Sequence, residues 1–296
     1  MKKSFSILVI TALFVTVFSI VSISSVNKIS VRNDSYKSIA DFTQSKSLNV
    51  KIKGMGGHSE NCLEFELKNT TSDTLFIRLE PGRRILSDDS TKQDILIVKE
   101  ALICLYPRET KKIKGYGFCC CAHRGGPGPD NKFSIGYMAP PSWVKMAEAI
   151  NIGNYSPGAI QHTVWCMSDN IDISSISGTT PDETLKLRKI VAGLKGIEIP
   201  WYTTSFLSDT ARAFSGKHES VSGEIEYYLK QNSVISIKVR NKFGQIVKTL
   251  VAASANGPGS YTYPMELNVI NWPKGEYEIA VYEDGSNLNT KKKFSL

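Results

Sequence analysis

The chain has 296 residues, 41% of them hydrophobic and 22% charged, proportions of an ordinary globular protein that exclude a disordered one. Its net charge of +8 is spread thinly: +3 over 1–30, +3 over 31–220 (24 basic against 21 acidic), and +2 over 221–296 (9 against 7). The local runs Lys111-Lys112 with Lys114 and Lys291-Lys292-Lys293 are not interleaved with aromatic residues, so the sequence predicts no nucleic acid partner.

Lys2 and Lys3 open an otherwise uncharged stretch in which Ile7-Leu8-Val9-Ile10 through Phe18 and Ile20 favour the bilayer core. Residues 1–26 therefore read as a signal peptide or, since the run reaches the roughly 20 residues needed to span, a membrane anchor. Ser22, Ser24 and Ser25 supply small residues for cleavage, and the absence of a cysteine near the end of the run argues against a lipid anchor. The expected location is secreted or at the outer cell surface, or periplasmic or membrane-anchored if the leader is kept. Export machinery is then a partner, and the membrane is touched only through this segment. Residues 27–46 read as a linker.

Residues 47–178 read as a β-sandwich with helical additions. Leu48, Val50 and Ile52 alternate with polar residues, as do Leu63, Phe65 and Leu67 and then Leu75, Ile77 and Leu79, the period of strands that bury one face. Pro81-Gly82 makes a turn, and the apolar stretch Ile95 to Tyr106 is predicted to bend or cross between sheets before Thr110 to Phe118 forms another strand. Gly54-Met55-Gly56-Gly57 before His58 lacks the Lys-Ser/Thr of a phosphate loop and reads as a turn. Gly125-Gly126-Pro127-Gly128-Pro129-Asp130 is an irregular loop. Helices follow at Pro141 to Ile150, and from Ser156 and Pro157 to about Ser168 with Ile160, Val164 and Met167 as the apolar stripe.

Residues 179–222 read as a helical connector. Thr180-Pro181-Asp182-Glu183 carries an N-cap, a first-turn proline and a capping-box glutamate, Leu187, Ile190, Val191 and Leu194 line one side, and Gly196 marks the stop. Residues 223–296 return to alternation at Ile235, Ile237 and Val239, with turns at Asn241 to Gly244 and Glu283 to Ser286. The predicted fold class is mainly β: an Ig-like β-sandwich with helical insertions, then a second small Ig-like β-sandwich.

The succession Ser236 to Asn241, Gly244-Gln245-Ile246-Val247, Gly259-Ser260-Tyr261, Gly275-Glu276-Tyr277, Asp284-Gly285 and Lys292-Lys293-Phe294 resembles the Ig-like module that ends many type IX secreted proteins. It is similar also to the flagellar hook-cap Ig-like module. The first resemblance implies an export address removed at the cell surface; Asn268 and Asn271 before Trp272-Pro273 depart from that family's compact turn. Pro81-Gly82, Ser87 to Ser90, Cys119 with His123, Pro127 and Pro129, and Gln161 with Trp165 resemble an uncharacterised bacterial extracellular β domain, which implies a boundary and no chemistry.

All six cysteines, Cys62, Cys104, Cys119, Cys120, Cys121 and Cys166, precede the C-terminal module. An oxidising compartment permits disulfides, in pairings the sequence leaves open, such as Cys166 to one of the triplet. Cys119, Cys120, Cys121 and His123 on one segment, with His162 and Cys166 four apart on one helix, are instead a candidate zinc set, zinc being the one cofactor entertained. A third alternative is a thiol nucleophile activated by His123 or His162, or an internal thioester to Gln161. Asp88-Asp89, Asp169 and Asp172 read as solvated turn residues, and Trp143, Trp201 and Tyr202 as packing aromatics. With no complete catalytic set, the leading expectation is an exported or surface protein that is not an enzyme and binds a protein or surface glycan or supports an assembly.

Overall fold

The computed structural model describes residues 35–209 and 214–296 and gathers Tyr36–Leu296 into one compact unit. The leader at 1–26 and the linker as far as 34 lie outside the described residues. No helix among the described residues is long and apolar enough to cross a membrane. The remainder of the linker segment is structured, as strand β1 (Lys37–Ser38) and helix α1 (Ile39–Gln44). Ser38 caps α1 by accepting the Ala40 N–H at 3.1 Å, and Ile39 is fully buried. Elements this short carry no periodicity; the burial of Ile39 holds them in place.

The fold is mainly β. Strands β2 (Leu48–Gly54), β3 (Leu63–Asn69), β4 (Leu75–Leu79), β5 (Arg83–Ser87), β6 (Ile95–Ile97), β7 (Ala101–Leu105), β8 (Thr110–Gly115), β9 (Gly117–Cys119) and β10 (Lys132–Met138) form two sheets with β1. One has the order β1-β4-β7, the other β8-β3-β2-β10-β5-β6-β9. Alternation decides which way each strand faces. Leu63, Phe65 and Leu67 enter the shared core, while Glu64 and Glu66 pair with Lys53, Lys112 and Lys51 outside. The outer pairs are exposed and screened and contribute little, whereas each inward Leu or Phe contributes roughly 1.5–3 kcal/mol. As expected, the apolar stretch from Ile95 crosses between sheets, β6 lying in one and β7 in the other.

The single strand expected over Thr110 to Phe118 is instead broken at Tyr116, and β8 and β9 occupy opposite edges of the larger sheet. The step from Gly115 to Gly117 spans no more than about 7 Å, so the sheet curls until its two edges nearly meet. Glycine is required at the join, because a Cβ on Gly115 would lie 2.5 Å from the Phe65 ring.

Helices α2 (Pro141–Ile152), α3 (Pro157–Ser168) and α4 (Pro181–Lys195) pack on the β6/β9 end of that sheet, burying Leu96, Val98 and Phe118 against Ile150, Val164 and Leu187. Lys99 Nζ closes the end of α2 by donating to the carbonyls of Ile150, Asn151 and Gly153. At α4 the expected cap forms: Thr180 Oγ1 accepts the Glu183 N–H at 3.2 Å, and Gly196 takes the left-handed conformation at φ 66°. Burial raises the Glu183 carboxyl, but hydrogen bonds from Ser156 and Thr179 outweigh it and hold the group at about 2.

Two further sheets, β11-β12-β15 and β14-β13-β16-β17, make the C-terminal sandwich. Its strands are β11 (Tyr202–Phe206), β12 (His218–Leu229), β13 (Ser233–Asn241), β14 (Ile246–Asn256), β15 (Gly259–Asn268), β16 (Glu276–Glu283) and β17 (Asn287–Ser295). The sandwich starts earlier than residue 223: β11 and the first part of β12 fall in the segment read as helical connector. Past Gly196 and Pro200 the run Tyr-Thr-Thr favours a strand, and β11 finds its partner in β12 through register pairs from Tyr202↔Gly223 to Phe206↔His218.

Arg188 ties α4 to this sandwich. Only 5% exposed, it donates to the carbonyls of Ser174, Ile176, Pro200 and Tyr202 and to Thr203 Oγ1. Every donor of the guanidinium fork is used, without a carboxylate.

Candidate functional site

The cysteine triplet leaves the sheet at the end of β9. Cys119 is fully buried in the sandwich core, and Cys120 Sγ lies 3.4 Å from the Asp94 carbonyl within the helical layer's core. Cys121 is half-buried, its N–H donating to Gln93 Oε1 at 3.3 Å, and His123 is exposed. Cys166 turns to the Asp172 carbonyl and Ser175 Oγ, and burial pushes its thiol up to about 12. His162 stands edge-on to Trp165 with ring centroids 5.5 Å apart.

The six candidate residues are therefore not brought together. All six cysteines of the chain carry free thiols, and no three His, Cys, Asp or Glu side chains among the described residues are grouped to hold a metal. The contact that joins the two halves is Gln161, whose Nε2 donates to the Cys119 carbonyl at 2.8 Å. That amide engages the backbone and no thiol.

The thiols differ chemically. Burial holds Cys62 at about 12 and Cys119 well above the ordinary range. Cys121 moves the other way, to about 6, because the Cys120 thiol donates to it and the Asp94 N–H adds a second bond that outweighs burial. The activating neighbour is a second cysteine, where sequence reasoning looked for a histidine.

A large concavity lies elsewhere on α3. A cleft of about 860 Å³ opens between α3, the turn at Gly57-His58, the loop Gly125 to Pro127, and the segments following β11. Its size falls in the roughly 300–1,000 Å³ range of small-molecule sites. Gln93, fully buried, sets one wall by donating to the Arg124 carbonyl at 2.9 Å, while its N–H holds the Gly125 carbonyl at 3.1 Å. Asp169 holds the same loop to the end of α3 by accepting the Ala122 N–H at 3.0 Å.

The floor is aromatic. Trp165, 2% exposed, lies 5.6 Å from Phe214, and Phe206 lies 4.7 Å from Phe214 and stacks at 6.5 Å on His162. Trp165 Nε1–H and His162 Nδ1 are both buried without a protein partner among the described residues. Leaving such a group dry and unpaired costs about 1–3 kcal/mol. Burial lowers the His162 pKa and keeps the ring neutral.

Sequence reasoning singled out His162 for metal or thiol activation and named Trp165 only within a resemblance. The helical pairing of the two, one turn apart beside a Gly-Pro loop, was the available signal.

No protein-family model and no curated protein matches the chain. Among solved structures it is similar to red sea bream transglutaminase, at 6% identity and TM-score 0.20 over 86% of this chain and 32% of that one. A putative beta-galactosidase from Bacteroides fragilis aligns at 12% identity and TM-score 0.23, over 82% and 33%. A beta-glucosidase from Kluyveromyces marxianus aligns at 9% and 0.21, over 79% and 44%. The chain spans less than half the length of each, and likenesses this slight carry no functional argument.

Proposed function

We propose that the protein is an exported or cell-surface binding protein without catalytic activity, and that its ligand occupies the cleft beside α3. The observation that carries this reading is the cleft itself, about 860 Å³, with Trp165, Phe206 and Phe214 among its lining residues. The uncharged run from Ser4 through Val26, behind Lys2 and Lys3, supports export. The C-terminal sandwich supports an Ig-like module of the kind that serves as an export address, through its three strands packed on four and the crossing of β14 to β15 between sheets. Fractionating cells and sequencing the mature termini tests the export half: a chain lacking 1–26 outside the cytoplasm is expected, and an intact cytosolic chain overturns it.

A second reading, a thiol nucleophile, has one observation in its favour, the thiolate character of Cys121. Its alkylation by iodoacetamide is expected to rise with pH through about 6 and then level off, since the thiolate fraction is complete above its pKa. A rate still climbing beyond pH 8, as for an ordinary thiol near 8.5, removes the basis of that reading.

A further inference from the structure

We propose that Cys120 and Cys121 form an oxidisable dithiol, which a hydroperoxide converts into a disulfide between the two neighbours. The inference rests on the reading of Cys121 as a nucleophilic thiol and adds its substrate class and its partner. It does not depend on what the cleft binds.

The backbone brings the two sulfurs together. Along a strand consecutive side chains point to opposite faces, and β9 ends at Cys119, which enters the sandwich core. The chain then bends at Cys120 and turns after Cys121, whose carbonyl accepts the Arg124 N–H at 3.0 Å. Released from strand geometry, the next two side chains converge on one residue of the facing segment. Cys120 Sγ lies 3.4 Å from the Asp94 carbonyl, the Asp94 N–H donates to Cys121 Sγ, and the Cys120 thiol donates to Cys121. Gln93 Oε1 fixes the backbone of the pair by accepting the Cys121 N–H at 3.3 Å.

The two thiols differ in the way a two-step oxidation needs. Cys121 is half-buried, within reach of a small peroxide, and Arg84 and Arg124 supply positive charge beside it. Cys120, only 3% exposed, keeps its proton. In the first step the Cys121 thiolate attacks one oxygen of hydrogen peroxide, the O–O bond breaks, and the departing hydroxide takes up a proton. Sulfur is oxidised to a sulfenic acid and the peroxide is reduced to water. In the second step the Cys120 sulfur attacks the sulfenic sulfur, the S–O bond breaks, and hydroxide leaves as water with the Cys120 proton. Two thiols and one hydrogen peroxide give one disulfide and two waters. Consecutive Cα atoms stand about 3.8 Å apart, inside the roughly 4.4–6.8 Å of ordinary disulfides, so this bond is strained and reopens to a thiol reductant. The other cysteines are placed differently: Cys62, Cys119 and Cys166 are buried with their thiols pushed up by burial, and Cys104 lies on β7 in the other sheet.

The test treats the reduced full-length protein with an equimolar amount of hydrogen peroxide at neutral pH, denatures it in iodoacetamide and digests it with trypsin. Cleavage after Lys114 and Arg124 releases Gly115 to Arg124, which carries Cys119, Cys120 and Cys121 and no other cysteine. Mass spectrometry is expected to find this peptide with one alkyl group and two hydrogens fewer, and with three alkyl groups when dithiothreitol precedes the alkylation. The product is expected to vanish in Cys121→Ser and in Cys120→Ala, the latter stopping at a sulfenic acid that dimedone captures, and to persist in Cys119→Ala. The wild-type peptide decides the question even where a variant fails to fold. A peptide still carrying three alkyl groups after peroxide overturns the proposal. So does a Cys121 that advances to sulfinic acid while Cys120 stays alkylatable, or a bond from Cys121 to Cys119 or Cys62. Any of these beside alkylation that levels off above about pH 6 leaves Cys121 a nucleophile without this partner, whereas alkylation still climbing beyond pH 8 removes both readings.

Discussion

Arg188→Ala is expected to destabilise the protein by about 3–5 kcal/mol, because truncation removes all five hydrogen bonds that the guanidinium gives to buried and half-buried acceptors. The acceptors come from both sides of a seam: Ser174 and Ile176 precede α4, while Pro200, Tyr202 and Thr203 lead into the C-terminal sandwich. The five bonds are charge-assisted and mutually dependent, so their sum overstates the loss. Lysine at this position keeps the charge and loses the planar fork, and Arg188→Lys is expected to restore only part of the stability. Thermal melting followed by circular dichroism checks this, with a drop of about 10 °C expected for the alanine variant. A melting temperature unchanged within error would show that the seam is held by other contacts.

Phe65→Ala is expected to cost a similar amount, about 3–5 kcal/mol. Phe65 is fully buried on β3, and its ring lies under the join where Gly115 leads from one edge of the curled sheet to the other. Removing it opens a cavity where the backbone has no side chain to collapse into the space, since the facing residue is glycine. Phe65→Leu, which keeps most of the volume, is expected to lose less than half as much. Guanidinium titration of both variants measures the difference; equal losses would place the ring's contribution elsewhere than in cavity filling.

Several elements were legible because local chemistry and tertiary packing agree. The Leu63, Phe65, Leu67 and Ile235, Ile237, Val239 rows are strands in sequence and core in structure. The α4 cap and stop are equally local. So is the turn between β16 and β17, where Asp284 at φ 46° and Gly285 at φ 92° adopt the paired left-handed geometry that Asp-Gly favours.

Other elements were hidden by their partners. β5 places Arg83 on an inward face, where Glu80 at 2.9 Å neutralises it, so its alternation reads as polar. β10 alternates Phe133, Ile135 and Tyr137, but it follows a Gly-Pro loop and is held between β2 and β5, strands far away in sequence. The β11 run Tyr-Thr-Thr-Ser-Phe carries little apolar signal beyond Tyr202, and Thr204 is buried only because β12 and the turn at Ser174 cover it.

The candidate site divides in the same way. The cysteines and histidines were visible as residue types, but their directions were not: α3 offers Gln161 to the triplet, His162 to the cleft and Cys166 to the turn at Asp172. The cleft itself joins residues from Gly57 to Ser215, and no local pattern spans that distance.

The claim on which the account depends is that the space over Trp165 receives a ligand. An ¹⁵N-edited NMR titration with a panel of disaccharides and with the apolar dye anilinonaphthalene sulfonate reads it directly, the Trp165 indole signal being assigned through its loss in Trp165→Phe. The account predicts that this indole shifts together with backbone amides of α3, of Gly125 to Gly126 and of Thr204 to Ser208. An indole that stays in place while shifts gather on another face, or no shifts at all, would contradict it.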